Sequence, residues 1–219
     1  MKRIIGTILI TATLGLASGI PNAQANDPDP HAHHREMLEE QNQAVGNFAD
    51  IVLPDAILLT QDGAEVSLKS DVVGDRIVVM DFVYTTCTTV CPVLSATFRQ
   101  VQNKLGDRLG AEVVMVSISV DPNRDTPARL KKYAERLGAG DSWLWLTGQQ
   151  QAVTEVLEEL GAYTPNFADH PSMVLVGDGK NGQWARFIGF PAAAQIIDKV
   201  DEFSAKRMAH FTHTAMTEK

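Results

Sequence analysis

The stretch that decides the fold is IVVMDFVYTTCTTVCP, residues Ile77–Pro92. Its first part, Ile77–Tyr84, is apolar except for Asp81, which predicts a central strand buried on both faces. Pro92 suits the first position of a helix, and apolar residues recur at helical spacing up to about residue 105. The segment between this strand and this helix carries all the cysteines of the chain, Cys87 and Cys91.

Strands alternate with helices along the rest of the chain. The patterns predict an opening hairpin (56–59 and 65–68), strands at 112–120 and 143–146, and a closing hairpin (173–176 and 184–188). Helices are predicted at 125–137, 150–160 and 192–208, the first of them capped by Asp125 with Pro127 in its first turn. This order predicts an α/β fold whose functional edge lies at the carboxyl ends of the strands.

The composition of the 219 residues excludes several classes of protein. With 44% hydrophobic and 21% charged residues, the chain is typical of a globular protein rather than of a disordered or multi-span membrane protein. The net charge of −8 argues against nucleic acid as a partner, because phosphate contacts need clustered lysines and arginines. Two cysteines are too few for a disulfide framework or a four-thiolate zinc site.

The start of the chain is typical of an exported protein. Basic residues precede an apolar stretch up to residue 20, and Ala23-Gln24-Ala25 follows as a small-residue cleavage site. This predicts a signal peptide over residues 1–25, with a retained membrane anchor as the alternative. Residues 26–46 predict a mobile tail whose histidines either capture a metal ion or are merely solvated, namely His31, His33 and His34. The folded domain is predicted at 47–209 and a C-terminal tail at 210–219, in a periplasmic protein that is soluble or anchored to the inner membrane.

The two cysteines are predicted to lie together and to act together. With Pro92 at the first helical position, Cys91 lies near backbone N–H groups that lack partners, and these favour a thiolate. If the helix begins earlier, the four-residue spacing still puts both sulfurs on one side. Such a pair forms a disulfide or jointly binds a soft metal ion. A purely structural disulfide is disfavoured, because so short a loop restrains little of the chain.

Three motifs resemble those of a known family. FVYTTCTTVCP (Phe82–Pro92) resembles the C-x-x-x-C-P core of the Sco/SenC family of copper-binding, thioredoxin-like proteins. VDPNRDTP (Val120–Pro127) is similar to the family's VDPxRDTP segment, and Asp169-His170 to its D-H pair. The resemblance spans about residues 47 to 201. It implies a thioredoxin-like fold with a central mixed sheet, flanking helices and an N-terminal hairpin.

The resemblance also implies a metal site. The family's ligands are two cysteines and one histidine, which correspond to Cys87, Cys91 and His170. This donor set suits copper, because thiolates are soft ligands for Cu(I) and an imidazole makes Cu(II) acceptable as well. Family members commonly read H-C-P-D-x-C here, whereas this chain has three threonines at those positions, Thr86, Thr88 and Thr89. The missing histidine and aspartate predict an altered thiol pKa and redox potential.

Asp81 is a further candidate for thiol chemistry. The pattern D-F-x-x-x-x-C that it begins resembles thioredoxins, in which a buried carboxylate of raised pKa occupies this position. Asp81 is then a proton acceptor for the resolving thiol. The alternative is a structural buried acid that is paired with a lysine or a backbone amide. By the same analogy, a cis peptide bond is predicted before Pro171, facing the cysteines.

Two functions follow from these residues. The first is a copper-binding chaperone that delivers copper to, or prepares, the dinuclear copper site of cytochrome c oxidase subunit II, or serves another exported copper protein. The alternative is a periplasmic thiol–disulfide oxidoreductase, and only this second reading makes the protein an enzyme. In it, Cys87 attacks a disulfide of an exchange partner and Cys91 resolves the mixed disulfide. The copper-ligating cysteines of the acceptor are one such substrate.

Overall fold

The buried strands of the sequence lie side by side at the centre of one mixed sheet. The computed structural model describes residues 46–217, with side chains for residues 46–209. The strands are β1 (Asn47–Ala49), β2 (Ile57–Thr60), β3 (Glu65–Ser67), β4 (Ile77–Val83), β5 (Val113–Ser119), β6 (Trp143–Thr147), β7 (Met173–Asp178) and β8 (Gln183–Ile188). Their order across the sheet is β1-β8-β7-β4-β5-β6-β2-β3. β5 is parallel to both β4 and β6, and the other pairs are antiparallel, so the predicted mixed sheet is confirmed.

Four longer helices flank the sheet: α1 (Val90–Leu105), α2 (Pro127–Leu137), α3 (Gln150–Glu159) and α4 (Ala193–Thr217). The sequence sets the limits of α2 clearly, since Pro127 occupies its first turn and Gly138 ends it with a φ of 70°. A φ in this left-handed region favours glycine over residues with a side chain. A π-helical segment (Leu68–Val73) and a 3-10 turn (Phe167–Asp169) complete the elements used below.

Alternation along the strands divides the core into two layers. Odd-numbered apolar residues of β4 pack under α1, α2 and α4, in a layer that includes Phe98 and Trp143. Even-numbered residues pack against α3 and the π-helical segment, in a layer that includes Leu68 and Leu157. Because successive side chains of a strand point to opposite faces, Asp81 lies on the α1 side of the sheet.

Most of the predicted elements are confirmed, and the opening hairpin is β2–β3. β1 and the π-helical segment were not predicted, and α4 continues past residue 209, where the sequence predicts the end of the domain. The predicted signal peptide and the histidines of the tail lie outside the described residues. Within residues 46–217, no helix combines the length and apolar character needed to span a membrane.

Candidate metal and thiol site

The two thiols meet where β4 ends and α1 begins. Cys91 lies in the first turn of α1, and its backbone N–H donates a hydrogen bond of 3.3 Å to Sγ of Cys87. Thr89, the N-cap residue, makes no side-chain capping bond. The sulfur of Cys87 therefore satisfies one of the N–H groups that a helix start leaves without a partner. Both cysteines are free and buried, and the predicted close pair is present.

The surroundings of the two thiols shift their pKa values in opposite directions. Burial opposes ionisation of Cys87, but hydrogen bonds from Cys91, from the backbone of Thr89 and from the hydroxyl of Tyr84 outweigh it and lower its pKa to about 7. Burial and the neighbouring Cys87 both raise the pKa of Cys91. The expectation that the helix start favours a thiolate at Cys91 is therefore wrong, because the first turn donates to Cys87 instead. Near pH 7, Cys87 is therefore partly ionised, whereas Cys91 keeps its proton.

His170 stands on the other side of the site, and its ring nitrogens lack hydrogen-bond partners in the described part of the chain. It follows the 3-10 turn and precedes β7, and only 8% of its surface is exposed. Neither Nδ1 nor Nε2 makes a hydrogen bond within the described residues. Burial lowers the pKa of His170, an effect that the backbone at Pro171 partly opposes, so the ring is neutral near pH 7. A buried imidazole with two unpartnered nitrogens is costly unless a ligand engages it.

Tyr84 links the histidine to the thiols. Its ring packs edge-on against His170, with 5.8 Å between the ring centroids, and against Phe167, with 5.2 Å. Burial, together with the interaction with Cys87, raises the pKa of Tyr84 to about 12. Over residues 46–209, no three acidic, histidine or cysteine side chains are grouped closely enough to hold a metal ion. The predicted ligands thus border one site across Tyr84 without converging to ligand distance.

Asp81 lies beneath the thiols in the apolar core. Its Oδ1 accepts a hydrogen bond of 2.5 Å from the hydroxyl of Ser117, and its Oδ2 has no partner among the described residues. Complete burial raises the pKa of Asp81 to about 7, and its charge in turn raises the pKa of Cys91. No lysine pairs with Asp81 among the described residues, but the backbone half of the structural alternative stays open, because a backbone hydrogen bond at Asp81 contributes to its pKa. A carboxyl that titrates near neutrality close to a protonated thiol is suited to accept a proton from it.

The VDPNRDTP segment reaches both sides of the site. The carboxylate of Asp125 is buried and accepts hydrogen bonds from the backbone N–H of Thr85 (3.1 Å), the hydroxyl of Thr85 (2.5 Å) and the hydroxyl of Ser119 (2.7 Å). It does not cap α2, whose N-cap is Thr126 with no side-chain bond, so the predicted capping role of Asp125 is wrong. A carboxylate stabilises the folded state more when three hydrogen-bond donors surround it in the interior than when it caps an exposed helix start.

Several residues of the site were missed by sequence reasoning. Ser117 interrupts the apolar strand β5 and lies in register with Asp81 on β4, so a pair of polar residues in adjacent buried strands was the available signal. The contacts of Tyr84 and Phe167 join loops that are far apart in sequence and had no such signal. The described residues contain no cis peptide bond, so the prediction of a cis bond before Pro171 is wrong.

The fold and the site together define a thioredoxin-like protein with a C-x-x-x-C thiol pair at the rim of its sheet. The family model SCO1/SenC matches residues 47–205, and the chain belongs to this family. The chain is 38% identical over 96 residues to the SCO1 protein homolog of Bacillus subtilis, a match that covers 43% of this chain and 48% of that relative. The predicted family membership is thereby confirmed.

Solved structures agree with this placement. BsSco, a member of the Sco family of cytochrome c oxidase assembly proteins in which a disulfide switch is known, is 27% identical, with a TM-score of 0.62 over 74% of this chain and 98% of that chain. ScoI of Arabidopsis thaliana, solved with copper bound, is 21% identical, with a TM-score of 0.59 over 74% of this chain and 99% of that chain. The predicted thioredoxin-like fold is confirmed, and copper binding is a property of members of the family.

Proposed function

We propose that this protein is a copper carrier that binds the metal through Cys87, Cys91 and His170 and passes it to an exported acceptor. The observation that carries the proposal is the state of His170: a buried imidazole with two unpartnered nitrogens, packed on the same tyrosine that contacts Cys87. An orphaned imidazole beside two adjacent free thiols fits a site whose third ligand has not yet engaged. The acceptor that the family suggests is the dinuclear copper site of cytochrome c oxidase subunit II.

The donor atoms suit this cargo. Cys87, with a pKa of about 7, supplies a thiolate near neutral pH, whereas Cys91 must give up its proton when the metal binds. Copper uptake therefore releases protons and strengthens as pH rises. His170 is neutral in this range and can donate a nitrogen lone pair without first losing a proton. Two thiolates with one imidazole accommodate both Cu(I) and Cu(II).

Transfer to the acceptor would proceed by exchange of ligands. An acceptor thiolate joins the copper before a donor thiolate leaves, so the metal is never without sulfur ligands. His170 is held by ring packing rather than by hydrogen bonds and is the ligand that can leave at least cost. In this function the protein acts after export, either soluble in the periplasm or held at the inner membrane by its N-terminal segment.

A second function, thiol–disulfide exchange, is favoured by the opposite pKa shifts of the two cysteines. The thiolate of Cys87 attacks a disulfide of the partner, forms a mixed disulfide and releases one partner thiolate. Cys91 then passes its proton to Asp81 and attacks Sγ of Cys87, which releases the second partner thiolate. Two electrons pass to the partner, and the Cys87–Cys91 pair ends as a disulfide. Both functions require the reduced pair, so one protein can perform both.

Copper affinity of the reduced full-length chain tests the main proposal. Cu(I) competition against a chromogenic chelator should show at least an about tenfold loss of affinity in His170→Ala, since one ligand is removed. The triple variant His31→Ala, His33→Ala, His34→Ala controls for the histidines of the tail and should keep the strong site. Equal affinity of His170→Ala and the unmodified chain would overturn the three-ligand site, and equally weak affinity would leave thiol exchange as the function.

A further inference from the structure

Within the described residues, neither imidazole nitrogen of His170 has a hydrogen-bond partner, so the position of the ring depends on packing. Its ring rests on Tyr84, and its loop is anchored by Phe167, one 3-10 turn earlier, which also packs on Tyr84. The outer contact of the Phe167 ring is the guanidinium of Arg124, whose Cζ lies 5.5 Å from the ring centroid. This cation–π contact joins the histidine loop to the segment between β5 and α2.

Arg124 is held in place by its own turn. Its Nη1 pairs with Oδ2 of Asp121 at 2.9 Å, and its backbone N–H donates to the carbonyl oxygen of Asp121. Asp121 is buried, and its backbone N–H donates to the hydroxyl of Ser119. The arginine is thus attached at its base to the end of a core strand, while its planar head covers Phe167.

The next residue of the same turn reaches the thiols. Asp125 binds the backbone N–H and the hydroxyl of Thr85, which precedes Cys87 by two residues, and it also binds Ser119. Two consecutive side chains of one turn therefore point to the two halves of the site. The turn is stiffened by hydrogen bonds from the backbone N–H groups of both residues to the carbonyl oxygen of Asp121.

We propose that the turn Asp121–Asp125 is the positioning element of the copper site: Arg124 positions His170 through Phe167, and Asp125 positions the thiol loop through Thr85. This inference rests on the proposed copper function. Neither residue touches the metal, and both act through others. Removal of Arg124 should weaken copper binding only when His170 is present, whereas loss of Asp125 should weaken it whether or not His170 is present.

A double-mutant cycle with Cu(I) competition on the reduced full-length chain tests this assignment. Arg124→Ala should lower the copper affinity about three- to fivefold, the effect expected for one cation–π contact. In the His170→Ala background the same change should have no effect. Arg136→Ala is the matched control, because Arg136 is also exposed and lies 5.3 Å from the ring of Tyr133, so its cation–π contact does not involve Phe167.

Asp125 is tested in the same cycle. Asp125→Asn should lower the copper affinity at least about tenfold in both backgrounds, because an amide cannot accept from all three donors that surround the carboxylate. Asp178→Asn is the control, since Asp178 is equally buried at 1% exposure but binds Arg207 and Asn181 far from the thiols. Thermal unfolding of each variant separates a loss of stability from a loss of positioning.

The outcomes are distinct. If His170→Ala lowers the affinity but Arg124→Ala behaves like Arg136→Ala, or weakens binding equally in the His170→Ala background, the positioning role of Arg124 is refuted. If Asp125→Asn behaves like Asp178→Asn, the positioning role of Asp125 is refuted. If His170→Ala itself has no effect, the copper proposal fails first. A nitrogen hyperfine signal in the Cu(II) spectrum that Arg124→Ala weakens and Arg136→Ala leaves intact would support the assignment directly.

Discussion

The thiol side and the histidine side of the site are built in different ways. On the thiol side, hydrogen bonds fix Cys87 to the first turn of α1 and fix Thr85 to Asp125. On the histidine side, the imidazole of His170 is packed on Tyr84 and has no hydrogen bond within the described residues, and the residue stands just after a short turn and before β7. The difference indicates that the thiols are organised before any ligand arrives, whereas the imidazole is left free to engage and release one.

Removal of a thiol should produce the largest effect on copper. Cys87→Ser replaces a soft thiolate with a hydroxyl that does not ionise near neutral pH, so Cu(I) affinity should fall at least about a hundredfold, well beyond the loss in His170→Ala. Chelator competition measures both variants. Ser95→Ala, a buried hydroxyl one turn after Cys91 on α1, serves as the control and should bind copper normally. A larger loss of Cu(I) affinity in His170→Ala than in Cys87→Ser would show that the histidine side, rather than the thiol side, dominates copper binding.

Asp81 should make the stability of the thiol side depend on pH. Its pKa is about 7 in the folded protein against 3.8 ordinarily, so the folded state binds more protons than the unfolded state between these values. The free energy of unfolding therefore falls as pH rises from about 4 to 7, by roughly 2–4 kcal/mol. Asp81→Asn should remove this slope, as measured by chemical denaturation of the reduced protein at several pH values.

One result would contradict the assignment of this pH dependence to Asp81. If wild type and Asp81→Asn lose stability in parallel over this range, Asp81 is not the titrating group. Ser117→Ala sharpens the result, because it removes the hydrogen bond that lowers the pKa of Asp81 and should move the slope to higher pH. His170 titrates with its pKa lowered and contributes the opposite sign, since stability from a neutral buried histidine grows with rising pH.

The sequence predicts the thiol side better than the histidine side for a physical reason. The cysteines belong to a local pattern, an apolar strand followed by a helix with Pro92 near its start, and local patterns determine local structure. The contacts of Tyr84 with Phe167 and His170 join segments that are distant in the sequence, and no periodicity encodes them. His170 was found only through the family resemblance, and its role as a ligand stays a prediction.

Asp125 shows where local reasoning went wrong. An aspartate before Thr126-Pro127 is typical of a helix cap, but the carboxylate turns instead toward Thr85, forty positions earlier in the chain. The three donors of Thr85 and Ser119 stabilise the carboxylate more than one helix start would, because leaving a buried donor such as the Ser119 hydroxyl without a partner costs free energy. β1 was missed for the converse reason: it is a three-residue edge strand with little burial, too short to show alternation.

The rate of alkylation should distinguish Cys87 from Cys91 and should depend on pH by a moderate factor at Cys87 alone. With a pKa of about 7, Cys87 should react with iodoacetamide about ten times faster at pH 8 than at about pH 6, since only the thiolate attacks. Cys91, whose pKa is raised, should stay unreactive over this range. Mass spectrometry of peptides from the reduced chain measures both sites at once. Equal rates at both cysteines would show that the helix start does not distinguish them.

Substitutions of Tyr84 should give the smallest but most specific effects. The hydroxyl of Tyr84 acts on the thiol side of the site, and its ring packs on the histidine side. Tyr84→Phe removes the hydroxyl that stabilises the thiolate of Cys87 and keeps the ring that packs on His170. The pKa of Cys87 should therefore rise, and its alkylation at pH 7 should slow by about threefold, the effect of one hydrogen bond of less than 1 kcal/mol. Tyr84→Leu removes the ring as well, so it should also lower copper affinity. If the two variants bind copper equally well, the position of His170 does not depend on the ring of Tyr84.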